Sequence, residues 1–174
     1  LVSARLLTGI TATDASEVPV VAESLSQYCT MPLTCPKLTF YGLATVQSGN
    51  FVSVKFTYVV INKDLYEFSG KGMDLNSNPL LIGRIVQTAP AAAQDLVRAA
   101  LGGVSDYVSA LSKSTKSIVT GDGQIIASSQ VPDIGSFIFG SASQIFDLPR
   151  ESTTVIRVVQ IDAGTPIQIL SENF

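Results

Sequence analysis

The sequence predicts a mainly β protein, an antiparallel β-barrel or sandwich with a helix–loop–helix inserted before its last hairpin. Three observations predict it. Residues 1–73 are a series of short β-branched and apolar runs broken by turn-forming residues. Residues 78–148 shift toward Ala, Gly and Ser, and their apolar residues recur at helical spacing. Residues 152–171 return to strand character. A chain of 174 residues suits one domain with a long insertion. The boundaries read as 1–77 for the first part of the β-domain, 78–149 for the excursion and 150–174 for the closing hairpin.

The runs Ala4–Ile10 and Val18–Ala22 are separated by Thr13-Asp14-Ala15-Ser16, a turn composition. Lys37–Val46 and Phe51–Ile61 flank Gln47-Ser48-Gly49-Asn50, a hairpin loop. In the second arm Phe51, Ser53, Lys55, Thr57 and Val59 alternate against Val52, Val54, Phe56, Tyr58 and Val60, so one face is the more apolar, as in a half-buried strand. Asn62-Lys63-Asp64 turns the chain into Leu65–Ser69. Thr88 is placed to cap a helix with Pro90 in its first turn, where a missing N–H costs nothing. Along that helix Val97, Leu101, Val104, Val108 and Leu111 form one apolar stripe. Beside it run Arg98, Gly102, Ser105, Ser109 and Ser112, nearly all small, which lets a neighbouring helix approach closely. An ordinary amphipathic helix lying over a sheet gives the same pattern.

A polar loop follows from Ser112 to Gln130. Pro132-Asp133 opens a second helix that Pro149 ends, with Ile134, Phe137, Ile138, Phe139, Ile145 and Phe146 in its body. The body spans roughly 20 Å, short of a ~30 Å hydrocarbon core, so hydropathy alone does not make it a membrane helix. Finally Thr153–Ile161 and Thr165–Leu170 flank Asp162-Ala163-Gly164, with Gly in the left-handed slot of a three-residue loop.

Composition narrows the function. Hydrophobic residues are 46% and charged residues only 14%, so surplus apolar surface must be covered by neighbours or a membrane. A net charge of −3, with Lys113 and Lys116 the nearest thing to a basic cluster, argues against nucleic-acid binding. The chain has no histidine, which removes the commonest general base, Ser/His and Cys/His nucleophile pairs and most zinc sites. Gly121-Asp122-Gly123 lacks the rest of a dinucleotide loop, and Gly70-Lys71-Gly72 is followed by Met73 rather than by a phosphate-loop residue. No catalytic constellation, metal set or cofactor motif is legible, and the expectation is a protein that is not an enzyme. Cys29 and Cys35 read either as a small disulfide loop in an oxidising compartment, with Pro32 turning the chain between them, or as two unrelated buried thiols. Opening at Leu1 within a strand, the chain reads as part of a longer protein.

Three stretches carry a resemblance. Arg5-Leu6-Leu7-Thr8-Gly9-Ile10 followed by Val18-Pro19-Val20-Val21, then Lys37-Leu38-Thr39-Phe40-Tyr41-Gly42 through Val52-Ser53-Val54-Lys55-Phe56-Thr57, and last Ile161-Asp162-Ala163-Gly164-Thr165-Pro166-Ile167 resemble the C-terminal domain of the TrbI-like (TraB-like) channel proteins of type IV secretion and conjugation systems. The likeness covers most of the chain in order. It departs at Leu148-Pro149-Arg150, where the family has a proline-rich approach, and at the Ser171-Glu172-Asn173 ending. The resemblance implies a β-domain that packs with identical subunits into a periplasmic ring. It implies a helix–loop–helix antenna that crosses the outer membrane and lines the pore. It also implies an outer-membrane lipoprotein and a second periplasmic core protein as partners, and an inner-membrane anchor elsewhere in the full protein. In that arrangement the stripe and flank of the first helix and the apolar residues of the second are membrane or helix-packing positions.

The competing expectation is a monomeric periplasmic β-sandwich that binds a small ligand or peptide, with residues 80–148 as a lid. The two differ on deletion of 80–148: an antenna leaves a soluble β-domain behind, whereas a lid leaves a bare apolar sheet. The sequence-based expectation is the soluble outcome.

Overall fold

The structure, a computed structural model, describes residues 1–14, 16–26, 37–114, 118–119, 125–126 and 155–172. Six strands close into an antiparallel barrel: β1 (Val2–Leu6), β3 (Glu17–Ser24), β4 (Thr39–Ser48), β5 (Phe51–Ile61), β6 (Asp64–Met73) and β12 (Pro166–Ser171). β12 lies between β6 and β1 and makes the closure. A second sheet of three strands has the order β2 (Ile10–Thr13), β11 (Ile156–Ile161), β8 (Arg84–Thr88). Short strands β7 (Leu81–Ile82), β9 (Ile118–Val119) and β10 (Ile125–Ile126) extend the barrel sheet, β7 against β5 and β9 against β6. One helix, α1 (Pro90–Ser114), is found among the described residues. The predicted fold class holds for what is described; the expected second helix from Pro132, with Ile134, Phe137, Ile138, Phe139, Ile145 and Phe146, lies outside those residues.

Alternation fills the barrel. Val18, Val20 and Ala22 of β3, Phe40, Ala44 and Val46 of β4, Val52, Val54 and Phe56 of β5, and Ile167 and Ile169 of β12 are all buried in one cluster. Phe40 meets Phe56 edge-on at 5.9 Å between centroids and Phe68 at 5.2 Å, so aromatic rings plug the centre. The interior is a packed core, not a channel. Outward positions carry Arg5, Glu17, Glu23, Lys55 and Lys71. This polarity is the inverse of a membrane barrel, which is apolar outside.

Two strands switch sheets at a corner. Leu7-Thr8-Gly9 carries the chain from β1 to β2, and Asp162-Ala163-Gly164 carries it from β11 to β12. Gly164 takes φ +85°, as expected, but β11 and β12 pair with different neighbours and not with each other. The expected closing hairpin is therefore a turn between two sheets. Its corner is bonded across: Gly164 N–H donates to the Leu6 carbonyl at 2.7 Å, and Leu6 N–H to the Thr165 carbonyl at 2.9 Å. Two further differences follow the chain. Strands β7 and β8 occupy residues 81–88, so strand structure runs past the expected boundary at residue 77. Thr88 ends β8, paired with Ile156, and Ala89 takes the cap position of α1 ahead of Pro90.

The turns follow their sequences. Gly49-Asn50 forms a two-residue loop between Ser48 and Phe51, with Gly49 at φ +59°, the sign a II′ turn needs at its first centre. Asn62 and Lys63 both have positive φ, 52° and 75°, as in a I′ turn between paired Ile61 and Asp64. Asn tolerates that region; lysine is penalised there by about 1–2 kcal/mol. Lys63→Gly should therefore raise stability by about 0.5–1 kcal/mol after the added unfolded-state entropy is subtracted, read as a higher urea midpoint at unchanged slope.

Candidate functional site

Helix α1 lies across the outside of the barrel and the second sheet, touching β2, β3 and β11. Its spacing puts Ala93, Gln94, Val97, Val104 and Val108 on one face, and all five are buried. Val104 and Val108 pack on Val21, Tyr41 and Leu65, with Leu7, Tyr58 and Val60 around them. Burial, and secondarily Tyr107 close by, raises the Tyr41 hydroxyl to about 12.

The receiving face on the barrel depends on a bulge. Tyr41 pairs with Tyr58 and Gly42 with Phe56, which leaves Thr57 as the extra residue on β5. Before the bulge Val52, Val54 and Phe56 point inward; after it Val59 does, while Tyr58 and Val60 turn out beneath the helix. A single extra residue thus supplies both the core and the seat of α1. The sequence reading had one uninterrupted alternation through Val60, and the bulge corrects it. Gly42 makes the bulge possible. A Cβ there would overlap the Lys55 carbonyl and lie 2.7 Å from Phe56 Cα.

Other members of the expected set are placed as follows. Leu101 is half-buried beside the stripe, and Arg98, Gly102, Ser105 and Ser109 are exposed along the flank. A Cβ at Gly102 would meet nothing within 4 Å. The side chain of Leu111, the six apolar positions of the second helix and both cysteines lie outside the described residues. Val104 and Val108, expected as membrane or helix-packing positions, pack on the chain's own barrel, and Val97 is buried on the same helix face. Among the described residues no helix is long and apolar enough to cross a membrane.

Beyond the helix, the same outer wall carries an open groove of about 340 Å³ lined by Glu17, Leu43, Thr45, Ser53, Lys55 and Thr57. The Thr57 Oγ1 is buried at the bulge without a hydrogen-bond partner among the described residues. Glu17 and Lys55 are the only titratable lining groups, so the groove presents one charge of each sign and three hydroxyls. Elsewhere, no three of Asp, Glu, Cys and His gather as a metal set among the described residues.

A polar latch holds the end of β12. Glu172 accepts hydrogen bonds from Lys71 Nζ and from Ser69 Oγ at 2.9 Å. Lys71 first and Ser69 second hold its carboxyl below the ordinary 4.5. A carboxylate with a depressed folded pKa contributes stability that is intact above 4.5 and is lost as pH falls through the folded value. Glu172→Gln should therefore flatten the acid side of the stability curve: thermal midpoints of variant and parent differ most above pH 4.5 and converge as pH falls below it.

No protein-family model matches the chain, and a comparison with curated proteins finds no match.

Proposed function

We propose that this chain is a structural, ring-forming subunit of the outer-membrane core complex of a bacterial type IV secretion or conjugation channel. In this reading it is not an enzyme and carries no cofactor. It assembles with identical subunits, an outer-membrane lipoprotein and a second periplasmic core protein, in the periplasm and at the outer membrane. The observation that carries the reading is the exposed flank of α1. With the apolar stripe held by the barrel, Gly102, Ser105 and Ser109 point away from the core and offer a neighbouring copy a close approach. Because the barrel is filled, a channel formed by such subunits runs between copies rather than through one.

The test uses substitutions that do not destabilise the monomer. Gly102→Leu projects into open space and replaces a poor helix former, so it should raise stability by up to about 1 kcal/mol, and Ser105→Leu changes an exposed position and should leave it within about 0.5 kcal/mol. Light scattering in detergent should show the parent as a very large particle and both variants as small ones, with Leu101→Ile behaving like the parent. A parent that runs as a monomer with and without detergent rules the ring out. The docking of α1 on its own domain favours a second reading, a monomeric periplasmic module in which α1 covers a binding face for a small ligand or peptide. That monomeric outcome is its signature.

A further inference from the structure

The C-terminal segment is built as a guest in the rest of the fold. β11 lies between β2 and β8, and β12 lies between β1 and β6, so each strand is paired on both sides. All four hosts come from the first 88 residues, and the two guest strands do not pair with each other. The guest supplies Val158, Val159, Ile161, Ile167 and Ile169, none more than 6% exposed. Its polar contacts also reach the host: Arg157 to Asp14 in a two-oxygen pair, Arg84 to Gln160, Ser77 to Gln168, and Lys71 and Ser69 to Glu172. Between the turn's own bonds, from Thr165 to the Asp162 carbonyl, and the host, the segment is fully specified by a surface it does not itself form.

We propose that residues 155–172 are an exchangeable strand–turn–strand, and that a second copy of this chain can supply them to the two slots of the first. The slots read pairing register and buried side chains, which are identical in every copy; only the connection distinguishes a chain's own segment from a neighbour's. A chain's own guest is favoured by its covalent connection, and a neighbour's guest competes in proportion to the concentration of copies. Dilute copies therefore close on themselves, and crowded copies exchange. The inference does not rest on the secretion reading, since a monomeric binding module with this topology would exchange in the same way.

Cross-linking between full-length chains tests it. Ser3 and Gln168 face each other across β1 and β12, and neither is buried. One chain carries Ser3→Cys and the other Gln168→Cys; the two are unfolded, mixed, refolded over a range from micromolar to roughly 1 mM, and oxidised. A disulfide-linked peptide joining positions 3 and 168, identified by mass spectrometry, arises only between copies, whatever the native cysteines do. Its yield should rise at least tenfold across that range, while a single chain carrying both substitutions links internally at every concentration. Absence of the linked peptide at 1 mM, with the double variant linking normally, overturns the proposal. Failure of the double variant to link also overturns it, because β12 would then not lie beside β1. The readout is independent of ring size, so a failed ring reading and a failed exchange are told apart.

Discussion

Gly42→Ala should destabilise the protein by about 3 kcal/mol or more, a large part of the ~5–15 kcal/mol that holds a domain of this size. The added methyl has no side chain to push aside. It overlaps the Lys55 carbonyl and sits 2.7 Å from Phe56 Cα, so β4 and β5 must separate at the bulge. Separation there loosens the inward Phe56, which is fully buried, and the outward pair Tyr41 and Tyr58, which seats α1. The damage therefore reaches the core and the helix together. The same substitution at Gly102, in open space on the helix, should raise stability by about 1 kcal/mol because alanine is the better helix former. Urea unfolding of the two variants side by side reads both signs; equal midpoints would remove the bulge from the account.

Much of this was legible in the residues. Alternation in Val52–Phe56 and the loops at Gly49, Asn62 and Gly164 place the strands and most of their ends, because period two and positive φ are local properties. The bulge was not legible: Thr57 is as ordinary a strand residue as its neighbours, and only Gly42 on the opposite strand makes room for it. Neither was the change of sheet at Thr8-Gly9. There the Thr8 hydroxyl accepts a hydrogen bond from Val21 N–H at 3.0 Å, a contact thirteen residues away. Strand β8 was missed because Arg84–Thr88 lies at a sheet edge and is mostly exposed, so it carries little apolar signal. Of the expected α1 stripe, Val97, Val104 and Val108 are buried, Leu101 is half-buried, and the side chain of Leu111 lies outside the described residues. Period 3.6 says that one face of a helix is covered, and says nothing about whether lipid, a neighbour or the chain's own barrel covers it.

Val104→Asp should release α1 from the barrel. The substitution removes a side chain that is 1% exposed and puts an unpaired carboxylate against Val21 and Leu65, at a cost of about 3 kcal/mol or more. Ser105→Asp, one residue on and exposed, should change stability by less than about 0.5 kcal/mol. Tyr41 reports which event has occurred. Docked, it ionises at about 12; with α1 released it regains water and should move back toward 10. The sign for the parent follows from the same shift. A tyrosine that holds its proton more tightly when folded contributes stability that is intact below 10 and is lost as pH climbs toward 12. Alkaline absorbance titration should thus show a late-ionising tyrosine in the parent and in Ser105→Asp that is lost in Val104→Asp; an unchanged late phase in all three would mean that α1 does not shield Tyr41. The same packing reverses the sequence-based expectation for the deletion of residues 80–148. Without α1, the outward side chains of Val21, Tyr41 and Leu65, each no more than 4% exposed in the intact protein, meet water. Loss of β8 also strips one side of β11. The shortened chain should precipitate where the intact protein stays in solution, and a soluble, folded remnant would mean that the contact between helix and barrel is dispensable.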